Sequence, residues 1–226
     1  MSDCFQDAAI AFDLDGTLVD TAPDLVRALN AVIAPDNLTP IRTHEVRAMV
    51  GRGARAMIEK AYSSREIALN PMRIDELVKQ FVDIYHTGIA DLSRPFDGCE
   101  ETLAFLQNRG ARLSVCTNKP SYLADALIAE LCLNKYFESV IGPERTTAKK
   151  PAAAHFLSAI GNGGPNVAMV GDSDPDVACA RAANAPVIIM SYGYTETPAH
   201  ALDADQVLDH FSELPAALEA LWARPD

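Results

Sequence analysis

The sequence predicts a doubly wound α/β protein, in which a mostly parallel sheet carries helices on both faces and an all-helical segment is inserted. Short apolar runs of strand length alternate with helical patterns from Pro95 onward, and one such run stands near the N-terminus. Between these regions, apolar residues recur only at helical spacing. We therefore predict a core formed by residues 1–19 and 91–226, with residues 20–90 as a helical cap.

The composition sets limits on the class of protein. The chain has 226 residues, of which 49% are hydrophobic and 22% charged, which is typical of a globular protein. A formal net charge of −12 without a basic run argues against a nucleic-acid partner. Five widely spaced cysteines without a Cys-x-x-Cys pair indicate free thiols in a reducing compartment. We expect a cytoplasmic monomer or homodimer without a leader or membrane span.

The first strand, an apolar run that ends at Phe12, leads directly to Asp13 and Asp15, and Gly16 then turns the chain. Two like charges about 4 Å apart repel by about 4 kcal/mol at an effective dielectric constant near 20. A hard divalent cation with oxygen ligands would offset that repulsion. On the residues alone, the alternative is that the two carboxylates only solvate or cap a turn.

The inserted segment carries apolar residues at the spacing of amphipathic helices. The two clearest sets are Leu25, Ala28, Leu29, Val32 and Ile33, and Ile74, Leu77, Val78, Phe81, Val82 and Tyr85. Between them, Gly51 and Gly53 flank Arg52, so this stretch can form a tight turn that presents backbone amides and a guanidinium to an anion. An ordinary turn between two helices with an exposed arginine is the alternative.

Strands and helices alternate in the remainder of the chain. Strands are predicted at 111–116, 140–141, 166–170, 186–190 and 206–208, and helices at 99–108, 122–131, 152–160 and 177–183, with a last helix around 214–221. In folds of this kind, ligands bind outside the carboxyl ends of the strands. Asp13, Thr117 and Asp172 are all predicted at such ends.

Two polar stretches precede predicted helices. Thr117 and Asn118 stand before a helix whose free backbone amides suit an anion, and the alternative is that one of the two residues simply caps that helix. Lys149 and Lys150 precede Pro151, which is well placed as the first residue of the next helix. Two solvated lysines are the alternative interpretation of this pair.

The stretch Gly171-Asp172-Ser173-Asp174-Pro175-Asp176 concentrates three acids at a strand-to-helix turn. If Pro175 is the first helical residue, Asp174 is the helix N-cap. Asp176 then lies in the first turn, where the helix dipole favours an acid. Asp172, at the exit of the strand, is the best candidate for a metal ligand.

These four stretches, in this order, resemble the four motifs of the haloacid dehalogenase superfamily in its phosphatase version. The resemblance implies that Asp13 is a nucleophile that becomes phosphorylated and that Asp15 is a general acid and base. It further implies that the Thr117 hydroxyl binds the transferring phosphoryl group, with an amide contact from Asn118. The family places its lysine directly before the proline, which selects Lys150 over Lys149.

The resemblance also implies Mg²⁺ as the cofactor. Its ligands would be the Asp13 carboxylate, the backbone carbonyl of Asp15 and the Asp172 carboxylate. Asp176 would bind the ion through water or orient Lys150. Asp15 argues against dehalogenation as the reaction of this protein, because the dehalogenase branch of the family has no acid at that position.

The Arg52 turn and two C-terminal stretches, Gly193-Tyr194 and 204–208, are similar to phosphoglycolate phosphatases. The expected function is therefore Mg²⁺-dependent hydrolysis of a small phosphate monoester, with 2-phosphoglycolate as the best candidate, through an aspartyl phosphate. A phosphosugar mutase similar to β-phosphoglucomutase is an alternative on the same scaffold. A receiver-like phosphoryl-binding module is a second alternative, which Asp15 and the insertion argue against.

Overall fold

The computed structural model describes residues 3–47, 50–51 and 53–223 of the chain. Its strands are β1 (Ala9–Phe12), β2 (Val19–Asp20), β3 (Arg94–Pro95), β4 (Arg112–Cys116), β5 (Ser139–Ile141), β6 (Val167–Gly171), β7 (Val187–Met190) and β8 (Gln206–Leu208). Its α-helices are α1 (Ala22–Ile33), α2 (Thr43–Arg47), α3 (Ala54–Ser63), α4 (Pro71–Thr87), α5 (Cys99–Asn108), α6 (Ser121–Glu130), α7 (Ala153–Ile160), α8 (Asp174–Ala182) and α9 (Leu214–Trp222).

Six strands form one parallel sheet in the order β5-β4-β1-β6-β7-β8, which confirms the predicted fold class. β1 lies inside the sheet, and Phe12 at its end is in register with Val115 of β4 and Val170 of β6. Because all three strands run in the same direction, their carboxyl ends lie side by side. The residues that follow them are therefore brought together.

The side chains of β1 alternate between two hydrophobic clusters, one on each face of the sheet. Ile10 and Phe12 belong to the larger cluster, which includes residues of α5, α6 and α9. Ala9 and Ala11 belong to the smaller cluster, with residues of α7 and α8. Burial on both faces explains why this strand is an apolar run without polar alternation.

The segment between β2 and β3 contains α1 to α4 and forms the helical cap. The predicted apolar face of α1 is buried throughout, and on α4 the side chains of Ile74, Leu77, Phe81 and Tyr85 are buried. α1 and α3 both pack against α4, so the helices share one apolar interior. The exact limits of the cap at residues 20 and 90 stay a prediction.

The sequence did not indicate a two-stranded antiparallel ribbon at the base of the cap. β2 pairs with β3, with Val19 opposite Pro95 and Asp20 opposite Arg94. The entry of the chain into the cap and its exit are thus hydrogen-bonded to each other. Strands of two residues carry no detectable period, which is why pattern analysis did not find them.

The carboxylate of Asp24 on α1 fastens the same junction. Its Oδ2 accepts hydrogen bonds from the backbone amides of Leu92 and Ser93, at 2.9 and 2.7 Å, and from the Ser93 hydroxyl at 2.7 Å. Its Oδ1 accepts one from Arg27 at 3.0 Å. Burial alone would raise the pKa of Asp24, but the hydrogen bonds from Ser93, Leu92 and Arg27 hold it below its ordinary value.

Two predictions about helix starts were wrong. Pro151 is not the first residue of a helix, because α7 begins at Ala153 after the cap residue Ala152. Asp174 is not an N-cap but the first residue of α8, and Ser173, whose backbone is extended, is the cap. Most other elements lie within about two residues of their predicted positions, and α8 begins three residues earlier.

The structure bears on two inferences from composition. Cys99, Cys116 and Cys179 are buried, Cys132 is exposed, and all five cysteines are free thiols. Within the described part of the chain, no helix is both long enough and apolar enough to cross a membrane.

We expect the variant Asp24→Ala to lower the free energy of unfolding by about 3 kcal/mol at pH 7, because two buried amides and a hydroxyl lose a charged acceptor. Since the folded-state pKa is depressed, this stabilisation is present above the unfolded pKa and is lost as pH falls through the folded pKa. Urea titrations at pH 7 and pH 3 should therefore show a smaller difference from the wild type at pH 3.

Asp91→Ala is the matched control, because the Asp91 side chain is 65% exposed and lies 3.8 Å from Arg27. We expect this variant to unfold within about 0.5 kcal/mol of the wild type. Equal losses in the two variants would show that Asp24 does not fasten the junction.

Candidate active site

Asp13 follows β1 directly, and its backbone amide continues the sheet by donating to Val170 O at 2.9 Å. The residue is only 8% exposed. Its Oδ1 lies 2.8 Å from Lys150 Nζ, so the two buried charged groups form an ion pair. Burial raises the pKa of Asp13 to about 6 against the opposing effect of the Lys150 charge.

Asp172 follows β6, and both of its carboxylate oxygens have partners. Oδ1 accepts a hydrogen bond from the Thr17 hydroxyl at 2.9 Å, and Oδ2 accepts one from the Tyr194 backbone amide at 2.6 Å. Burial, followed by the charges of Asp176 and Asp13, raises the pKa of Asp172 well above its ordinary value. These contacts fix the carboxylate in position between the loops that follow β1 and β7.

Gly16 allows the loop after β1 to approach Asp172 closely. Its φ is +87°, and a Cβ at this position would lie 2.7 Å from Asp172 Oδ2 and 2.8 Å from the Tyr194 ring. Any side chain would therefore meet both a strained backbone and two occupied positions. Gly16, which turns the chain after Asp13 and Asp15, therefore also leaves room for the Asp172 carboxylate.

Asp176 connects the start of α8 to Lys150. Its Oδ2 accepts hydrogen bonds from the backbone amide and the hydroxyl of Ser173, at 3.1 and 2.7 Å. Its Oδ1 accepts one from Lys150 Nζ at 2.7 Å. Lys150 is 3% exposed, and although burial lowers its pKa, the charges of Asp13 and Asp176 raise it above its ordinary value. The neighbouring Lys149 is exposed.

The carboxylates of Asp13, Asp172 and Asp176 form a group that fits a divalent cation. One oxygen of each lies within 4.8 Å of the others, and all three residues are buried. Lys150 offsets one of the three negative charges, and the donors are all carboxylate oxygens, which hard cations such as Mg²⁺ prefer. The Asp15 side chain is not part of this group, and its backbone carbonyl stays a predicted ligand.

Thr117 and Asn118 follow β4 beside this group. The Thr117 hydroxyl, in a residue only 1% exposed, accepts a hydrogen bond from the Lys119 amide at 3.1 Å. The Asn118 amide group donates to Lys150 O at 3.2 Å, and its Oδ1 is buried without a hydrogen-bond partner among the described residues. Because an amide oxygen only accepts hydrogen bonds, a ligand that completes the bonding of Asn118 Oδ1 has to offer a hydrogen-bond donor.

Sequence reasoning missed His155, which positions the segment that carries Lys150. Its Nδ1 accepts a hydrogen bond from the Lys150 amide at 2.9 Å, and its Nε2 lies 2.9 Å from Ile141 O. This pairing places the ring proton on Nε2. Burial lowers the pKa of His155, so the neutral ring is favoured. A lone histidine in a helix gives no sequence signal for such a role.

Sequence reasoning also missed Lys119 as a site residue. Its Nζ lies 3.0 Å from Asp15 Oδ1 and 2.8 Å from the hydroxyl of Tyr85 on the cap helix α4. Burial alone would lower the pKa of Lys119, but Asp15 and Tyr85 raise it above its ordinary value. The available signal was position, since Lys119 directly follows Thr117 and Asn118 at the end of a central strand.

A cavity of about 180 Å³ lies between the cap and the strand ends. Its polar wall is formed by Asp15, Tyr85, Asn118 and Lys119. The apolar side chains that line it are Leu25, Val50, Met57, Phe81, Val82 and Leu123. Gly51 and Gly53 line it as well, whereas Arg52 between them lies outside the described residues.

Comparisons with known proteins agree with this architecture. The family model described as haloacid dehalogenase-like hydrolase matches residues 10–190. A phosphoglycolate phosphatase from Caulobacter vibrioides is 46% identical over 93% of this chain and 90% of its own length. An N-acetylmuramic acid 6-phosphate phosphatase from Pseudomonas aeruginosa is 34% identical, over 93% and 94% of the two chains.

Among solved structures, a predicted phosphoglycolate phosphatase from Haemophilus somnus 129Pt superimposes with a TM-score of 0.86. It is 27% identical, and the match covers 94% of this chain and 98% of that one. The fold, the site and these relatives define a phosphoric monoester hydrolase. More particularly, the chain belongs to the haloacid dehalogenase-like hydrolase family.

We expect Asp172→Asn to weaken Mg²⁺ binding at least tenfold, as measured by calorimetry, because the ion loses a charged ligand. Without metal, the variant should melt at the same temperature as the wild type or higher, since one of three crowded buried carboxylates has been neutralised. Addition of Mg²⁺ at 100 times the wild-type dissociation constant should stabilise the wild type by about 2.7 kcal/mol and the variant far less.

Asp174→Asn serves as the control, because Asp174 is an exposed acid two residues further along, at the start of α8, and lies outside the carboxylate group. Its Mg²⁺ affinity should stay within about twofold of the wild type. Unchanged Mg²⁺ affinity in Asp172→Asn would remove Asp172 from the set of ligands.

Proposed function

We propose that this protein hydrolyses the phosphate ester of a small hydroxy acid in the presence of Mg²⁺, with 2-phosphoglycolate as the best candidate. The observation that carries the proposal is Asp13, buried at the end of β1, paired with Lys150 and grouped with two further carboxylates. The names of the two relatives support the substrate class, because phosphoglycolate and N-acetylmuramic acid 6-phosphate each join a phosphate ester to a carboxylic acid.

In the proposed first step, an Asp13 carboxylate oxygen attacks phosphorus and the bond from phosphorus to the ester oxygen breaks. Asp15 gives a proton to the departing alkoxide. In the second step, a water molecule attacks the phosphorus of the aspartyl phosphate and gives one proton to Asp15, and the bond from phosphorus to the Asp13 oxygen breaks. Inorganic phosphate leaves, and both carboxyl groups return to their starting state.

The chain's polar groups would stabilise the transferring phosphoryl group. The Thr117 hydroxyl and the Asn118 side chain would bind its equatorial oxygens, and the Lys150 charge would offset charge on Asp13 and phosphorus. Asp13, Asp172 and the Asp15 carbonyl would hold Mg²⁺, with Asp176 beyond them or bound through water. When bound, the ion would neutralise charge that develops on phosphate oxygens.

The cap would enclose the leaving group. The cavity beside Asp15 is lined by cap side chains on one side and by residues after β4 on the other. Closure over the substrate would exclude water other than the attacking molecule. We do not propose a mutase or a receiver-like module, since the relatives reported above are phosphatases.

A panel of phosphorylated metabolites tests the proposed function. We expect Mg²⁺-dependent phosphate release from 2-phosphoglycolate with a kcat/KM at least tenfold above that for N-acetylmuramic acid 6-phosphate, glycerol 3-phosphate and β-glucose 1-phosphate. Asp13→Asn should fold normally and lose more than about 10³-fold in activity, because an amide is a poor nucleophile. Magnesium-dependent turnover retained by Asp13→Asn would contradict the assignment of the nucleophile.

We also expect Arg52→Ala to reduce kcat/KM for 2-phosphoglycolate about tenfold more than for p-nitrophenyl phosphate, because the aryl ester has no carboxylate to bind the guanidinium. Arg55→Ala is the matched control, since Arg55 is an exposed arginine on α3 that pairs with Asp75. Equal losses for both substrates in Arg52→Ala would remove Arg52 from substrate recognition.

A further inference from the structure

Lys119 is a buried cation in the wall of the cavity that the proposed function assigns to the leaving group. The residue is 8% exposed, and its ammonium group reaches Asp15 on one side and Tyr85 on the other. Among the described residues that line this cavity, Lys119 is the only basic side chain. Burying an ammonium group is costly, so a lysine in this position needs partners.

The described partners leave part of the hydrogen-bonding capacity of Lys119 unused. An ammonium group carries three donors. One is shared by the two oxygens of Asp15, at 3.0 and 3.3 Å, and a second is directed to the Tyr85 hydroxyl at 2.8 Å. The third donor has no described acceptor, while the side chain borders a cavity large enough for a small organic acid.

We infer that Lys119 binds the carboxylate of the substrate's leaving group through this third donor. The inference rests on the proposed function and deepens it, because it assigns the substrate class to one side chain. A small carboxylate that enters a largely apolar cavity needs charged hydrogen-bond donors to compensate its desolvation, and among the described lining residues Lys119 offers one. Lys119 would thereby place the leaving group beside Asp15, to which it is already bonded.

Tyr85 makes this recognition depend on the cap. Its hydroxyl comes from α4, whereas Lys119 follows β4 of the core, so the ammonium group is held from both sides of the cavity. Tyr85 is 1% exposed, and its ring stacks on Phe81 with centroids 6.1 Å apart, which fixes the position of the hydroxyl. Lys119 is therefore a specificity residue, and Tyr85 is a positioning residue for it.

The test compares two substrates of nearly equal size, 2-phosphoglycolate and its neutral amide, 2-phosphoglycolamide. Both release an alkoxide, so an effect on Asp15 as the acid changes both rates together and cancels in the ratio. We expect the wild type to prefer the carboxylate, and Lys119→Met to reduce the ratio of the two kcat/KM values about 10- to 100-fold. Lys149→Met, which removes the exposed neighbouring lysine, should leave the ratio unchanged.

Equal losses for the two substrates in Lys119→Met would overturn the inference, because Lys119 would then act only on Asp15. If circular dichroism shows that Lys119→Met does not fold, the variant Tyr85→Phe tests the inference instead. We expect it to raise KM for 2-phosphoglycolate severalfold more than KM for the amide, and an equal effect on both would contradict the role of Lys119.

The same data separate this inference from the proposed function. A wild type without any preference between the two substrates contradicts a hydroxy-acid ester as the substrate. If the wild type prefers 2-phosphoglycolate over its amide and Lys119→Met keeps that preference, only the assignment of carboxylate binding to Lys119 is contradicted.

Discussion

The site depends on one electrostatic constraint, the burial of three carboxylates together with a single lysine. Asp13, Asp172 and Asp176 lie within reach of one ion, and Lys150 contacts two of them. Burial, and after it the charges of the neighbouring acids, raises the pKa of both Asp13 and Asp172. Such a group carries more negative than positive charge and is unfavourable for folding, so a bound cation would supply the missing positive charge.

The surrounding backbone is arranged to hold this unfavourable group in place. Asp172 is bonded by Thr17 from the loop after β1 and by Tyr194 from the loop after β7. Asp176 is fixed by the first turn of α8, and His155 holds the main chain at Lys150. Asp172 thus has neutral partners in two other loops, whereas Asp176 and the Lys150 main chain are held by groups close to them in the chain.

The sequence was sufficient for the parts of the fold that have a period or a motif. The apolar face of α1, the helix Cys99–Asn108 and the positions of Asp13 and Asp172 at strand ends all follow from patterns of residue type. His155 could not be found in this way, and the only sequence signal for Lys119 was its position directly after Thr117 and Asn118. Their importance comes from contacts with residues far along the chain, such as Asp15 and Ile141, and no local pattern records such contacts.

The two corrected helix starts have a related cause. Proline is tolerated early in a helix, so Pro151 and Pro175 indicate a nearby start without fixing its residue. In α8 the extended Ser173 and the side chain of Asp176 decide the cap, and in α7 the helix begins two residues after the proline. In α8, side-chain bonding at the helix end therefore decides between positions that the sequence leaves equivalent, whereas the cap residue of α7, Ala152, makes no side-chain hydrogen bond.

The ribbon of β2 and β3 has a consequence for how such proteins diversify. Because the strands on either side of the inserted helices are bonded to each other, the ends of the insertion stay together whatever lies between them. The entropic cost of closing a loop grows only slowly with its length, so a longer, shorter or unrelated insertion can be accommodated there. Evolution can thus replace the helical cap as a unit while the residues at the strand ends of the sheet stay the same.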